Sequence, residues 1–287
     1  MKFVTYNYKG IEAVGVLSDD EQYIIPSKAL GYKADTMVEL ISELHGNLPE
    51  IGDAEKISIG DVKLEAPIPE PHQDVVCLGL NYREHADEAA EAFEAFKLDR
   101  GDATYFAKRL NRAVAPGDKI EGHFDICDSL DYEVELAAII GRDARYVKAE
   151  DAADYIFGYT ILNDVSARNI QTKHKQWLFG KSLDGFTPMG PCILTAEELG
   201  AKPELGIRCY VNGELRQNSN TRNLIFDLPY VIEELSRGMT LKAGTIIATG
   251  TPSGVAMGLK TEDAYLKSGD VIRCEIDGIG VLENTVE

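Results

Sequence analysis

Short β-branched or apolar runs bounded by Gly, Asn or Asp recur through the chain, and helical spacing replaces them in three places. Residues 1–26 read as short strands with a turn at Ser18-Asp19-Asp20-Glu21. In Thr36–His45 the apolar residues Met37, Leu40, Ile41 and Leu44 follow the helical period, and Gly46-Asn47 supplies a stop. Val75–Leu78, Val134–Ile140, Ile156–Leu162, Ile207–Val211, Thr245–Thr249 and Val271–Ile276 predict strands. Glu84–Leu98 is rich in alanine and glutamate and predicts a helix, and Leu228–Arg237 predicts a short amphipathic one ending at Gly238. Many strand signals without β-α-β regularity point to a β-rich α+β fold.

Between the first helix and the main run of strands stands Ala66-Pro67-Ile68-Pro69-Glu70-Pro71, with proline at every second position. Proline has no donor for a sheet and disfavours helix in the residue before it, so this segment predicts an extended linker. The expected division is a small α+β N-terminal domain over 1–70 and a larger domain over 71–287.

The chain has 287 residues, 44% apolar and 27% charged, ordinary values for a globular protein with a sizeable core. Twenty-nine Lys and Arg face 48 Asp and Glu, for a formal charge of −19. Such an excess repels phosphate backbones, so nucleic acid and anionic membranes are poor partners. Solubility is the plainer reading of the charge, ahead of any specific cationic partner. Five scattered cysteines with no C-x-x-C pair argue for a reducing compartment, and against a zinc ribbon or a disulfide scaffold. The first residues lack the apolar stretch of a signal peptide. The longest uncharged run, Ala243–Leu259, contains four glycines and a proline and falls short of a spanning helix. The expectation is a cytoplasmic protein.

Candidate chemistry begins at Asp131-Tyr132-Glu133-Val134-Glu135-Leu136. On a strand, residues i and i+2 share a face, so Glu133 and Glu135 lie side by side while Val134 and Leu136 face the other way. Two adjacent anions repel, and a bound cation removes that cost. Oxygen donors with no His or Cys nearby suit Mg²⁺, Mn²⁺ or Ca²⁺ better than zinc. Alone, the pair reads more simply as the polar face of a half-exposed strand. Asp164 closes the strand-like run Gly158–Asn163 and is placed to join a metal site, although an Asp there is equally natural as a helix N-cap. His85 and Glu88 stand at i, i+3 in a predicted helix, where a carboxylate can hold an imidazole and raise its basicity. A surface helix with incidental charges is the simpler account of a lone H-x-x-E.

Gly250-Thr251-Pro252-Ser253-Gly254 follows a predicted strand and would let backbone approach a ligand closely. No P-loop, no G-x-S-x-G elbow and no G-x-G-x-x-G fingerprint is found, which removes P-loop NTPases, α/β-hydrolases and Rossmann dehydrogenases.

Five segments in order resemble the fumarylacetoacetate hydrolase family from about Val75 to Val286. They are Gly79-Leu80-Asn81-Tyr82 leading to His85-Ala86-Asp87-Glu88, Asp131–Leu136, Asn163–Gln171, Trp177–Ser182, and Thr249–Val255. The small N-terminal module is similar to one that many bacterial members carry. The resemblance implies a rolled, mixed β-sheet catalytic domain that assembles as a homodimer. It assigns Glu133, Glu135 and Asp164 to a Mg²⁺ or Mn²⁺ site, and His85 with Glu88 to a base dyad on a lid, with Lys181 also catalytic. Arg168, Gln171, Thr251 and Tyr82 would contact a keto-acid substrate. At Phe106-Ala107-Lys108-Arg109-Leu110 the family usually has a Lys-Pro pair, and Arg109 departs from it.

The chemistry so implied is hydrolysis of the C3–C4 bond of a 2,4-diketo acid (an acylpyruvate) to pyruvate and a carboxylic acid. The same resemblance covers oxaloacetate decarboxylation and isomerisation of 2-hydroxydienoates. A binding module without turnover is the remaining alternative, and the intact set of acids, His85, Glu88 and Lys181 argues against it.

Overall fold

Strand Val134–Ile140 is buried at all seven positions, because it lies inside a sheet covered on both faces. Its neighbours, Ile156–Asn163 on one side and Ile246–Ala248 on the other, run antiparallel to it. Successive side chains enter different cores. Leu136, Ala138 and Ile140 meet residues of a second sheet such as Ile207, Ile272 and Leu282. Ala137 and Ile139 meet Phe3, Val16, Leu40 and Ile41 from the N-terminal residues. A near-continuous apolar sequence is what such a doubly covered strand requires.

The fold is described here from a computed structural model covering residues 1–92, 101–197, 199–259 and 261–287, with side chains except those of 87, 89–92 and 262. The large sheet has the order Ile57–Ser58, Tyr23–Pro26, Ile11–Leu17, Lys2–Tyr8, Met189–Thr195, Ile156–Asn163, Val134–Ile140, Ile246–Ala248, Val75–Gly79, Thr104–Lys108. Lys63–Leu64 pairs with Lys2–Tyr8 off that path. The second sheet has five strands, Glu214–Asn220, Gly206–Val211, Val271–Ile276, Gly280–Val286 and Lys119–Ile120. Mixed sheets with few helices make this a β-rich α+β fold, as the sequence predicts. The sheet runs on past residue 70: Lys2 and Phe3 pair with Leu194 and Ile193.

Helix Met37–Leu44 forms where its period places it. Thr36 and Glu39 exchange a capping box, His45 ends it in the left-handed region, and Met37, Leu40, Ile41 and Leu44 are buried. Helix Leu228–Gly238 starts at its N-cap Asp227 and runs through Gly238, the expected stop, to end at extended Met239. The helix predicted over Glu84–Leu98 is present as Arg83–Ala92, and residues 93–98 of that prediction lie outside the described residues. Strands Thr104–Lys108, Met189–Thr195, Glu214–Asn220 and Gly280–Val286 were not expected from local pattern. Glu214–Asn220 is polar along most of its length, and cross-strand pairing with Gly206–Val211 makes it a strand. Among the described residues, no helix is long and apolar enough to cross a membrane.

Candidate active site

The acids converge where Val134–Ile140 and Ile156–Asn163 end together. Val134 pairs with Asn163, so Glu133 and Asp164 emerge at adjacent strand ends, and the Asp164 N–H donates to the Glu133 carbonyl at 2.8 Å. Glu133, Glu135 and Asp164 each present an oxygen within 4.8 Å of the others. All three are buried, Glu133 4%, Glu135 1% and Asp164 0% exposed, which replaces the half-exposed polar face expected of the pair alone. Asp164 caps no helix in this arrangement, since the next helix, Arg168–Lys173, starts after Ala167.

Buried carboxylates need partners. The Lys181 ammonium lies 2.6 Å from Glu133 Oε2 and 2.7 Å from Asp164 Oδ2. Lys108 donates to Asp164 Oδ1 at 2.5 Å and to the Val165 carbonyl at 3.0 Å. Arg168 reaches Asp131 at 2.9 Å through Nε, Gln171 at 3.0 Å through one amino group, and Glu133 through the other. Burial alone would lift the Glu133 pKa, but Arg168 and Lys181 outweigh it and hold this carboxyl below its usual range. For Lys181, burial opposes the charge and is overcome by Asp164 and Glu133, so its pKa rises. For Lys108, burial prevails and lowers it.

Four acids (Asp131, Glu133, Glu135, Asp164) thus meet three cations (Lys108, Arg168, Lys181), and the surplus charge falls on Glu135. Glu135 has no ion pair among the described residues; its Oε2 accepts the Gly250 N–H at 2.8 Å. Burial, then Asp164 and Glu133, push its pKa well up. Gly250 has φ +91°, and a Cβ there would come within 2.9 Å of Asn81 Cβ, so glycine is required for this donor to reach Glu135. An all-carboxylate donor set with one excess negative charge fits a hard divalent cation, which Glu133, Glu135 and Asp164 would hold.

His85, 4% exposed, places Nδ1 3.1 Å from Glu88 Oε2. Glu88 in turn accepts the Gly254 N–H, at 3.0 Å to Oε1. A Cβ on Gly258 would stand 2.1 Å from Glu88 Oε1, so the carboxylate keeps this place against the turn 254–258 because residue 258 has no side chain.

His85, Glu133, Glu135, Arg168, Gln171, Lys181 and Thr251 line one cleft, closed on its apolar side by Leu78, Leu80, Phe106, Trp177 and Met257. The enclosed space is about 20 Å³, little more than one water or ion needs. Thr251 donates to the Val134 carbonyl at 2.9 Å and accepts from Gln217 at 2.7 Å. Tyr82 lies outside the lining; its buried hydroxyl has no partner among the described residues, and burial, then Glu135, raise its pKa. The Arg109 N–H donates to Ser182 Oγ at 3.0 Å, a bond for which proline has no donor.

Sequence reasoning did not assign Lys108 or Asp131. Both carried a periodic signal: Asp131 precedes Glu133 by two residues, and Lys108 follows Phe106 by two on a strand, on the same face.

The sequence profile described as fumarylacetoacetate (FAA) hydrolase C-terminal matches residues 74–287. Oxaloacetate tautomerase YisK of Bacillus subtilis is 38% identical over 305 aligned residues, covering all of both chains. Oxaloacetate tautomerase fahd2, mitochondrial, of Xenopus laevis is 39% identical over 80% of this chain and 70% of its own. Among solved structures, the fumarylacetoacetate hydrolase of Exiguobacterium antarcticum is 38% identical and superposes with a TM-score of 0.85, covering 100% of this chain and 99% of its own. The order of the motifs, the fold that gathers them and this full-length similarity together make the chain a member of the fumarylacetoacetate hydrolase family.

Proposed function

We propose that the chain catalyses keto–enol interconversion of a small 2-keto acid, with oxaloacetate as substrate, in the presence of Mg²⁺ or Mn²⁺. The observation that carries this reading is that His85, paired with Glu88, lines the same cleft as Glu133, Glu135 and Lys181. Similarity over the whole chain to an oxaloacetate tautomerase supports the choice of substrate.

The reaction moves one proton between C3 and the C2 oxygen and consumes no water. With its Nδ1 proton donated to Glu88, His85 keeps a lone pair on Nε2 to take the C3 proton. The Lys181 ammonium offsets the charge that develops on the C2 oxygen. The apolar wall of Leu80, Phe106, Trp177 and Met257 lowers the local dielectric and strengthens both interactions. Glu133, Glu135 and Asp164 would hold a divalent cation, which would supply Lewis-acid stabilisation of the same negative charge.

A second reading, hydrolysis of a 2,4-diketo acid, is favoured by the structural likeness to a fumarylacetoacetate hydrolase. It needs the same residues and a water activated by His85. Parallel ultraviolet assays separate the two. The enol absorbance of oxaloacetate and of acetylpyruvate is followed with Mg²⁺, with Mn²⁺ and with chelator, while pyruvate is measured. Accelerated enol–keto exchange of oxaloacetate without pyruvate supports the tautomerase. Pyruvate in step with loss of acetylpyruvate replaces it with the hydrolase, and pyruvate from oxaloacetate alone replaces it with a decarboxylase. No acceleration with either substrate overturns both readings.

A further inference from the structure

The two halves of the candidate machinery come from distant parts of the chain. The dyad stands on the helix that starts at Arg83, and the triad stands at the ends of two sheet strands. One buried side chain touches the structures that hold both. Asp131 is 0% exposed and accepts four hydrogen bonds, two on each oxygen. Oδ1 takes the N–H groups of Tyr132 at 2.8 Å and Ala256 at 2.7 Å. Oδ2 takes Arg168 Nε at 2.9 Å and the Met257 N–H at 3.1 Å.

Three of these bonds bear on the cleft. Arg168 continues to Glu133, so Asp131 anchors the guanidinium that steadies one member of the triad. Ala256 and Met257 belong to the turn whose Gly254 N–H holds Glu88 and whose Gly258 packs against it. The adjacent Tyr132 secures the same turn at its start, its hydroxyl donating to the Gly254 carbonyl at 2.9 Å. A neutral turn has no intrinsic need of a buried anion. A carboxylate accepting from two successive backbone N–H groups and a guanidinium fixes all three at once.

We propose that Asp131, assisted by Tyr132, is a positioning residue that registers the His85–Glu88 dyad against the carboxylate triad through the turn 254–258. The inference rests on the dyad acting as the base. Asp131 touches neither His85 nor Glu88, so its effect travels through the turn.

A double-mutant cycle tests this in the full chain with Mg²⁺ and oxaloacetate. Asp131→Asn keeps the shape but cannot accept on both sides. It is expected to lower kcat by about 10–100-fold, the usual range for residues that orient a site, with KM changed by less than about threefold. Combined with Glu88→Gln the loss should fall clearly short of the product of the two single losses, because both variants disturb the alignment of the dyad. Tyr132→Phe loses only the Gly254 contact and should show a smaller drop in kcat, equally non-additive, which keeps the test valid if Asp131→Asn folds poorly. An activity-independent readout is the imidazole NMR spectrum of the five histidines, with His85 assigned by its loss in His85→Gln. Asp131→Asn and Glu88→Gln should move the His85 signals in the same direction. Multiplicative losses, or an unmoved His85 signal in Asp131→Asn, overturn the positioning role while leaving the dyad in place. Wild-type turnover in Glu88→Gln removes the dyad, and the positioning role with it.

Discussion

Lys108 and Lys181 grip opposite oxygens of one carboxylate, Nζ to Oδ1 at 2.5 Å and Nζ to Oδ2 at 2.7 Å of Asp164. Two ammonium groups on a single acid leave the neighbouring Glu135 without a cation of its own among the described residues, although it is equally buried. The ligand-free cluster is therefore balanced everywhere except at one residue, and the behaviour of that residue is open to measurement.

Because burial, Asp164 and Glu133 raise the Glu135 pKa, the folded protein holds a proton there that the unfolded chain releases at lower pH. This contribution to stability is fully present below the unfolded pKa and is lost as pH rises through the folded one. A bound divalent cation replaces the proton, so cation affinity rises with pH, and the gain in melting temperature from Mg²⁺ or Mn²⁺ is larger in mildly alkaline than in mildly acidic buffer. Titration calorimetry in buffers of different ionisation enthalpy reads the released proton directly. Equal affinity at both pH values, with no proton release, would contradict the assignment.

Glu135→Gln keeps an acceptor for the Gly250 N–H and removes the surplus charge. The ligand-free variant is expected to be as stable as the parent at neutral pH or more stable by about 1 kcal/mol. The cation-induced thermal shift should disappear. Glu135→Ala should likewise weaken cation binding severely in calorimetry, and normal affinity in either variant would remove Glu135 from the metal site.

Lys108 is 0% exposed and bonded to both Asp164 and the Val165 carbonyl. Lys108→Met fills similar space but leaves two buried acceptors short of a donor. The expected cost is about 3–5 kcal/mol, read from the denaturant midpoint. A divalent cation should recover part of it, since a cation can take up the freed charge on Asp164. A variant as stable as the parent would show that the Lys108 contact contributes little.

Gly258→Ala tests the seat of Glu88. Its methyl would need the place that Oε1 now holds, displacing the carboxylate from His85. A displacement of about 1 Å at a catalytic group costs on the order of 100-fold in rate, so a loss of that size is expected with only a small change in melting temperature. The companion variant His85→Ala should lose turnover while retaining cation binding; turnover at the parental rate would take the dyad out of the mechanism.

Much of this is legible in the amino-acid sequence. Val134–Ile140 and Val271–Ile276 have the predicted boundaries, because short apolar runs bounded by turn formers leave little choice. The alternation Glu133-Val134-Glu135 predicted carboxylates on one side, and the fold buries them together. Their burial was not legible. It depends on Lys108, Arg168 and Lys181 arriving from three other segments to balance the charge, and no local pattern announces a buried ion cluster. The turn 254–258 was readable as glycine-rich backbone near a ligand, yet its role around Glu88 depends on an approach between residues more than 160 positions apart.

The N-terminal strand carries a final consequence. Lys2–Tyr8 is hydrogen-bonded to Met189–Thr195, the Phe3 ring packs at a tilt against Phe157 with centroids 5.0 Å apart, and the terminal ammonium reaches Thr195 Oγ1 at 3.0 Å. A truncated chain beginning after the proline segment would expose the Met189–Thr195 backbone as an open edge beside a bared apolar face. Such an edge is a template for strand addition between molecules. In a recombinant fragment the first symptom would be self-association through that edge.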